Sequence, residues 1–269
     1  MRFSILILLF FLAIAFFSLG RLIYFYDPTK LYTPKKIEIS YEFLKKPEEI
    51  KKDFEAEKKF GKIGIDLSHR NDFTAEEFSY FISTIFKANK SIAFIKENFI
   101  EEIKNLTSLI IFTPKQSYGK DEIEAIKNFS KLKKVLIFSE PDEKITNELI
   151  LNFGLIVEPG YLYNLKENEI NFRNIYIKNF LRDNSSENLT QGIEKLLFSV
   201  ACPIKPIDFG IAFIDENTFS SEKLFWERGA TISKKENVLV ICDTSFLNDK
   251  YYYYADNNKF LINIINWLK

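Results

Sequence analysis

His69 is the only histidine in the 269-residue chain, so any imidazole chemistry must use it. It sits in the run IDLSHRND, three residues after Asp66 and two before Asn71. An Asp-x-x-His spacing lets a carboxylate orient an imidazole, the first requirement of a general base. Other polar residues recur where apolar runs end. Gln116, Ser117, Tyr118 and Glu122 follow one such run, Ser139 and Glu140 end another, and Asp243, Thr244 and Ser245 follow the last. Each has a plainer reading. Asp66 and Asp243 can cap turns at strand ends, and Ser68 or Asn71 can N-cap a helix. Glu122 is favoured in a first helical turn whatever the function. His69 beside Arg70 also reads as a surface residue.

The missing patterns exclude whole classes of chemistry. There is no Gly-x-Ser-x-Gly nucleophile elbow. No dinucleotide fingerprint follows a first strand, and no P-loop is present. Asp66, His69 and Asp243 lack the spacing of a metal set, so neither a metal nor a cofactor is expected. Cys202 and Cys242 stand in strand-like apolar contexts. They read as buried free thiols, with a disulfide compatible but not required.

The elements that must position these residues are legible as an alternation. Short, continuously apolar strands are expected at 62–67, 91–95, 108–114 and 134–140. Helical patterns follow them at 74–88, 99–105, 119–129 and 143–153. Apolar strands of this kind are covered by helices on both faces. Repeated βα units give a doubly wound, mostly parallel α/β sheet, flavodoxin-like or amidotransferase-like, and ligands in such sheets bind beyond the carboxyl ends of the strands. After residue 153 the pattern loosens. Strands are expected within 155–159, 174–180, 195–204 and 210–215, around a polar loop at 161–174. A strand at 237–243 and a helix at 256–269, capped by Asp256 or Asn257, restore the regular form. The tyrosine run 251–254 reads as a cover over the sheet edge or as a ligand platform.

Before this domain, residues 3–19 form an unbroken apolar run, FSILILLFFLAIAFFSL, behind Arg2. A run of about 17–20 apolar residues can cross a bilayer. The aromatics at 24–26 favour a retained anchor over a cleaved signal peptide. The expected organisation is an anchor over 1–26, a linker with a charged stalk helix over 27–61, and one domain over 62–269. The 37 basic and 37 acidic residues balance, so no field draws the chain to nucleic acid. Basic residues after the anchor argue for a cytoplasmic domain. The signal-like N-terminus argues for the outside, which is the expectation here.

Four stretches carry a resemblance: IDLSHRNDFTAEEF, LIIFTPKQSYGKDEIEAIKNF, VLIFSEPD and VLVICDTSFLNDKYYYYADNNKFLINIINWL. The chain resembles the uncharacterised class I glutamine amidotransferase-like domains of prokaryotic, often archaeal, membrane-anchored proteins, including auxiliary proteins of gliding-motility-type ABC transporters. The shared pattern falls on Asp66, His69, Pro114, Tyr118, Glu122, Asp243, Ser245, Asn257, Trp267 and Leu268. Such domains typically lack the amidotransferase Cys-His-Glu triad. The resemblance therefore implies a non-catalytic binding or scaffold domain at the membrane, with another envelope protein, a transporter component or a glycan as partner. Its ligand or partner would meet Asp66, His69, Asn71, Tyr118, Glu122, Asp243 and Ser245. The rival reading is a hydrolase with His69 as general base and Asp66 or Asp243 as its orienting carboxylate.

Overall fold

The computed structural model describes residues 11–20, 61–223 and 228–268. The chain divides into two compact units, 1–56 and 57–269. Of the first, residues 11–20 are helical with exposed side chains; the rest of the expected anchor and the stalk helix lie outside the described residues. Among the described residues no helix is long and apolar enough to cross a membrane.

The second unit is a mixed α/β domain. Its first half runs β1 (Lys62–Asp66), α1 (Ser79–Lys87), β2 (Ser91–Ile95), α2 (Phe99–Lys104), β3 (Ser108–Phe112), α3 (Lys120–Ser130), β4 (Lys134–Ser139) and α4 (Lys144–Ile150). The second half holds β5 (Ile156–Val157), β6 (Leu162–Asn164), β7 (Asn168–Glu169), β8 (Asn171–Ile177) and β9 (Asn179–Phe180). It continues with β10 (Leu196–Ser199), β11 (Ile204–Lys205), β12 (Gly210–Phe213), β13 (Thr218–Ser220), β14 (Ala230–Lys235), β15 (Val238–Cys242) and α5 (Asn257–Trp267).

The main sheet has the order β2-β1-β3-β4-β15-β14-β11-β5. Pairings from β2 to β15 are parallel, and those of β14 and β11 are antiparallel. Alternate residues of the parallel strands feed two cores. Ile63, Ile65, Ile110, Phe112, Leu136 and Phe138 meet Phe81 and Ile85 of α1 and Phe260 and Ile264 of α5. Leu109, Ile111, Val135 and Ile137 meet Phe99 of α2, Ile126 and Phe129 of α3 and Leu149 of α4 on the other face. Both sides of β1, β3 and β4 are thus removed from water, and this is why these strands read as continuous apolar runs. Gly64 is the exception: a Cβ there would lie 2.2 Å from Cδ1 of Leu106.

The second half departs from expectation. The stretch 161–174 is not a plain loop, because it carries β6, β7 and the start of β8. Its turns are made by side chains. Oδ1 of Asn164 accepts hydrogen bonds from the amides of Lys166 and Glu167, so an Asn-rich composition here signals tight turns between short strands. Strand β14, not expected from its Ser-Lys-Lys end, pairs with β15 through a hairpin in which Glu236 has φ 53°. Helix α1 is shorter than expected. Phe73 and Phe78 both pack on Phe112, at 4.9 and 5.5 Å between ring centroids, and a turn joins them. Cys202 and Cys242 are not free thiols; they form a disulfide with Cα atoms 5.4 Å apart. Cys202 lies between β10 and β11 rather than within a strand. Neither expected residue caps α5 by its side chain. The Asp256 carboxylate accepts from the amides of Glu194 and Lys195, and the buried Asn257 amide exchanges hydrogen bonds with Leu197 of β10. In the tyrosine run, Tyr252 is buried and stacks on Tyr80 of α1 at 4.9 Å, while Tyr253 stays exposed.

The close approach at Gly64 makes a testable pair. Gly64→Ala should cost about 1–3 kcal/mol by overpacking. Leu106→Ala should cost about 2–5 kcal/mol by leaving a cavity. The double variant should lose clearly less than the sum, since each change relieves the other. Urea unfolding of the four proteins checks this, and strict additivity would refute the contact.

Candidate functional site

The strand order 2-1-3-4 reverses direction between β1 and β3, and doubly wound sheets leave a crevice beyond the carboxyl ends of the strands at such a point. The residues at the end of β1 and at the start of α3 meet there. Asp66 ends β1 and is fully buried. Its Oδ1 accepts the Ser68 amide at 2.9 Å and the Ser68 hydroxyl at 2.6 Å. Its Oδ2 accepts the Tyr118 hydroxyl and lies 2.9 Å from Nδ1 of His69. Four donors on one carboxylate offset the cost of burying it.

His69 is 4% exposed and held on every side. Its Nδ1 faces Asp66, with the Ser68 Oγ at 3.0 Å on the same side. Its Nε2 lies 3.3 Å from Oε2 of Glu122. The Tyr118 ring stacks on the imidazole at 3.7 Å and 25°, and Phe99 meets it edge-on at 5.2 Å. Its carbonyl accepts the amides of Lys115 and Gln116, which ties the loop after β1 to the loop after β3. Glu122 also accepts the Gly119 amide at 2.7 Å, so the same carboxylate closes the first turn of α3. Two non-glycine residues with positive φ flank this clasp, Arg70 at 52° and Thr113 at 24°.

The electrostatics follow from these contacts. Burial by itself would lower the His69 pKa, but the hydrogen bonds and charges of Asp66 and Glu122 outweigh it and hold the imidazolium above its ordinary value. Burial, followed by the Asp66 charge and the hydrogen bond to it, pushes the Tyr118 phenol well up. Tyr118 thus stays a neutral donor to Asp66. Asn71 lies close enough to Tyr118 to favour its phenolate slightly. Yet neither buried atom of the Asn71 amide makes a hydrogen bond of ordinary geometry. A buried amide with unmet capacity calls for a polar partner.

Asp243 and Ser245 stand elsewhere. Strands β3 and β4 separate β1 from β15, roughly 14 Å at the usual strand spacing. Asp243 is fully buried. Its carboxylate accepts the Ser245 amide at 2.7 Å, the Ser245 hydroxyl at 2.8 Å and the Ser199 amide at 3.0 Å. It fastens the end of β15 to β10. Burial, then the nearby Glu140 charge, raises its carboxyl well above the usual range against those three hydrogen bonds. Glu140 in turn accepts the amide and hydroxyl of Thr244. Of the expected set, Asp66, His69, Asn71, Tyr118 and Glu122 come together, and Asp243 and Ser245 form a second cluster. Phe99 is the residue that sequence reasoning missed. It opens α2, so the only available signal was its position just past β2. Among the described residues no cluster of His, Cys, Asp and Glu is arranged to hold a metal ion.

The class this defines is a mixed α/β domain around a mostly parallel sheet. No family model and no curated protein sequence matches the chain. Solved structures do. The mmIFT52 N-terminal domain aligns with a TM-score of 0.63 and 14% identity, over 77% of this chain and 96% of that domain. A putative ThuA-like protein from Bacteroides uniformis aligns with a TM-score of 0.49 and 10% identity, over 80% of this chain and 95% of that one. The first likeness establishes a shared fold and says nothing of activity.

The clasp predicts a pH signature. A histidine whose folded pKa is raised adds stability that is complete below its unfolded value of about 6.5. That stability is lost as pH rises through the folded value. The melting-temperature advantage of wild type over His69→Gln should therefore be largest near pH 5.5–6 and shrink steadily above about pH 6.5. A difference that is flat, or that grows with pH, would show that the ring is not held as a cation.

Proposed function

We propose that this chain is a membrane-anchored, non-catalytic binding or scaffold module of an envelope or transporter-associated complex. Its partner meets the crevice between β1 and β3. The observation that carries this reading is the state of His69: both ring nitrogens face carboxylates, Asp66 on one side and Glu122 on the other. A general base needs a free nitrogen aimed at a nucleophile or its water. Here the hydroxyls beside the imidazole, those of Ser68 and Tyr118, both lie on the Asp66 side and already donate to Asp66. Asn71, whose side-chain amide is buried without a hydrogen-bond partner of ordinary geometry, lies in the same cluster.

The amidotransferase-like resemblance supports the same reading, since such domains combine this sheet with a lost triad. The Cys202–Cys242 disulfide favours an extracytoplasmic placement, because such bridges persist in oxidising surroundings. The apolar run at 3–19 supplies the anchor. The hydrolase reading remains the rival outcome.

The test pairs capture with turnover. The full chain should stay in carbonate-washed membranes and cross-link there to a partner. Asn71→Ala should lower that yield several-fold at an unchanged melting temperature. In an ester, amide and phosphate hydrolysis screen, wild type should show no turnover above a His69→Gln control. Turnover by wild type that His69→Gln abolishes at unchanged stability would establish the hydrolase instead.

A further inference from the structure

The two-stranded ribbon of β6 and β13 is built inside out. Its buried face carries Leu162, Asn164, Thr218 and Ser220, three of them polar, while Tyr161, Tyr163, Phe219 and Ser221 look outward. A half-buried antiparallel ribbon ordinarily does the reverse. Tyr163 stands across the ribbon from Phe219, at 6.0 Å between ring centroids. It also meets Tyr161 at 6.4 Å and Phe172 of β8 at 6.3 Å. None of these four rings belongs to either core. Core packing therefore does not account for them, and a partly exposed aromatic cluster of this kind marks a binding surface.

The cluster is also held in place. The Arg173 guanidinium sits 4.2 Å from the Tyr161 ring centroid and 5.5 Å from that of Phe172. A shallow pocket of about 310 Å³ opens between Tyr161, Tyr163, Leu165, Phe172 and Ser221. The Ser221 hydroxyl oxygen accepts the Tyr161 amide at 3.0 Å, which leaves its proton to donate elsewhere. The Nε of Arg173 is buried with no hydrogen-bond partner among the described residues.

We propose that this pocket binds a glycan, with one pyranose ring enclosed by the Tyr161, Tyr163 and Phe172 rings and stacked on one of them. A pyranose is amphipathic, with a C–H face for an aromatic ring and hydroxyls at its rim for phenol, serine and guanidinium groups. An aliphatic side chain in the same place would leave the phenol and Ser221 hydroxyls unmatched. A proline-rich peptide needs a row of aromatic slots along an extended groove. Here the rings are tilted at 58–86° to one another around one pocket. The site is separate from the β1–β3 crevice and stands or falls independently of the reading given for it.

The experiment uses the full chain in a zwitterionic detergent, so that no sugar headgroup competes. The probes are a broad glycan array, followed by saturation-transfer NMR on soluble hexasaccharides that bind. Wild type should bind at least one glycan class saturably, with transfer strongest to the C–H protons of one pyranose ring. Tyr163→Ala and Phe172→Ala should each weaken binding by about tenfold, with melting temperatures within about 2 °C of wild type. No binding on the array, or equal affinity in both variants, would overturn the proposal. So would binding of decaproline in place of glycans with loss in the same variants.

Discussion

The candidate site depends on one carboxylate. Asp66 ends β1, the parallel strand that starts the fold, and it accepts hydrogen bonds from Ser68, twice, from Tyr118 and from His69. Buried carboxylates are costly unless fully partnered, so the four donors must be in place for β1 to end there. That requirement fixes the loop after β1, the start of α3 and the orientation of the only imidazole. Glu122 completes the clasp from the far side, and His69 becomes the bridge between two elements 53 residues apart in sequence. Replacing either carboxylate would leave a buried cation-forming ring with half its partners.

Tight partnering also underlies the proposed non-catalytic reading. Triad-like hydrolysis needs a histidine with one nitrogen oriented and the other free. His69 has the orienting carboxylate but not the free nitrogen. Asp243, the other carboxylate that looked suited to a site, is spent on Ser199 and Ser245. Its work is mechanical: it pins the last parallel strand to β10, next to the Cys202–Cys242 bridge that joins the same region. The fold thus has two polar clusters at the strand ends. The one around His69 holds a buried amide with unmet hydrogen bonds, Asn71.

The regular half of the domain was legible because its physics is local. Continuous apolar runs such as SLIIF and KVLIF can only be strands covered on both faces, and the helices between them carry their own periodicity. The second half was not legible in the same way. Strands of two or three residues, such as β5, β7 and β9, gain their order from partners far away in sequence, and the side-chain turn at Asn164 looks like loop composition. The cysteine pairing was left open for the same reason, since 40 residues separate the two. Within the candidate site, the Asp66–His69 and Tyr118–Glu122 spacings pointed to residues that the fold brings together. Grouping Asp243 with them overlooked the two strands between β1 and β15, an order that only the pairing reveals. Phe99 was invisible because a first helical phenylalanine carries no sign of the ring it will meet.

Because His69 is the only histidine, a single imidazole signal reports on the whole clasp. The decisive measurement is an NMR titration of that ring in the full chain, labelled at histidine with ¹⁵N and ¹³C. The account predicts one pKa raised above about 6.5, with protons on both nitrogens protected from exchange below it. It also predicts that Glu122→Gln moves the pKa down. A pKa at or below the ordinary value, with a freely exchanging Nε2 proton and no response to Glu122→Gln, would contradict it.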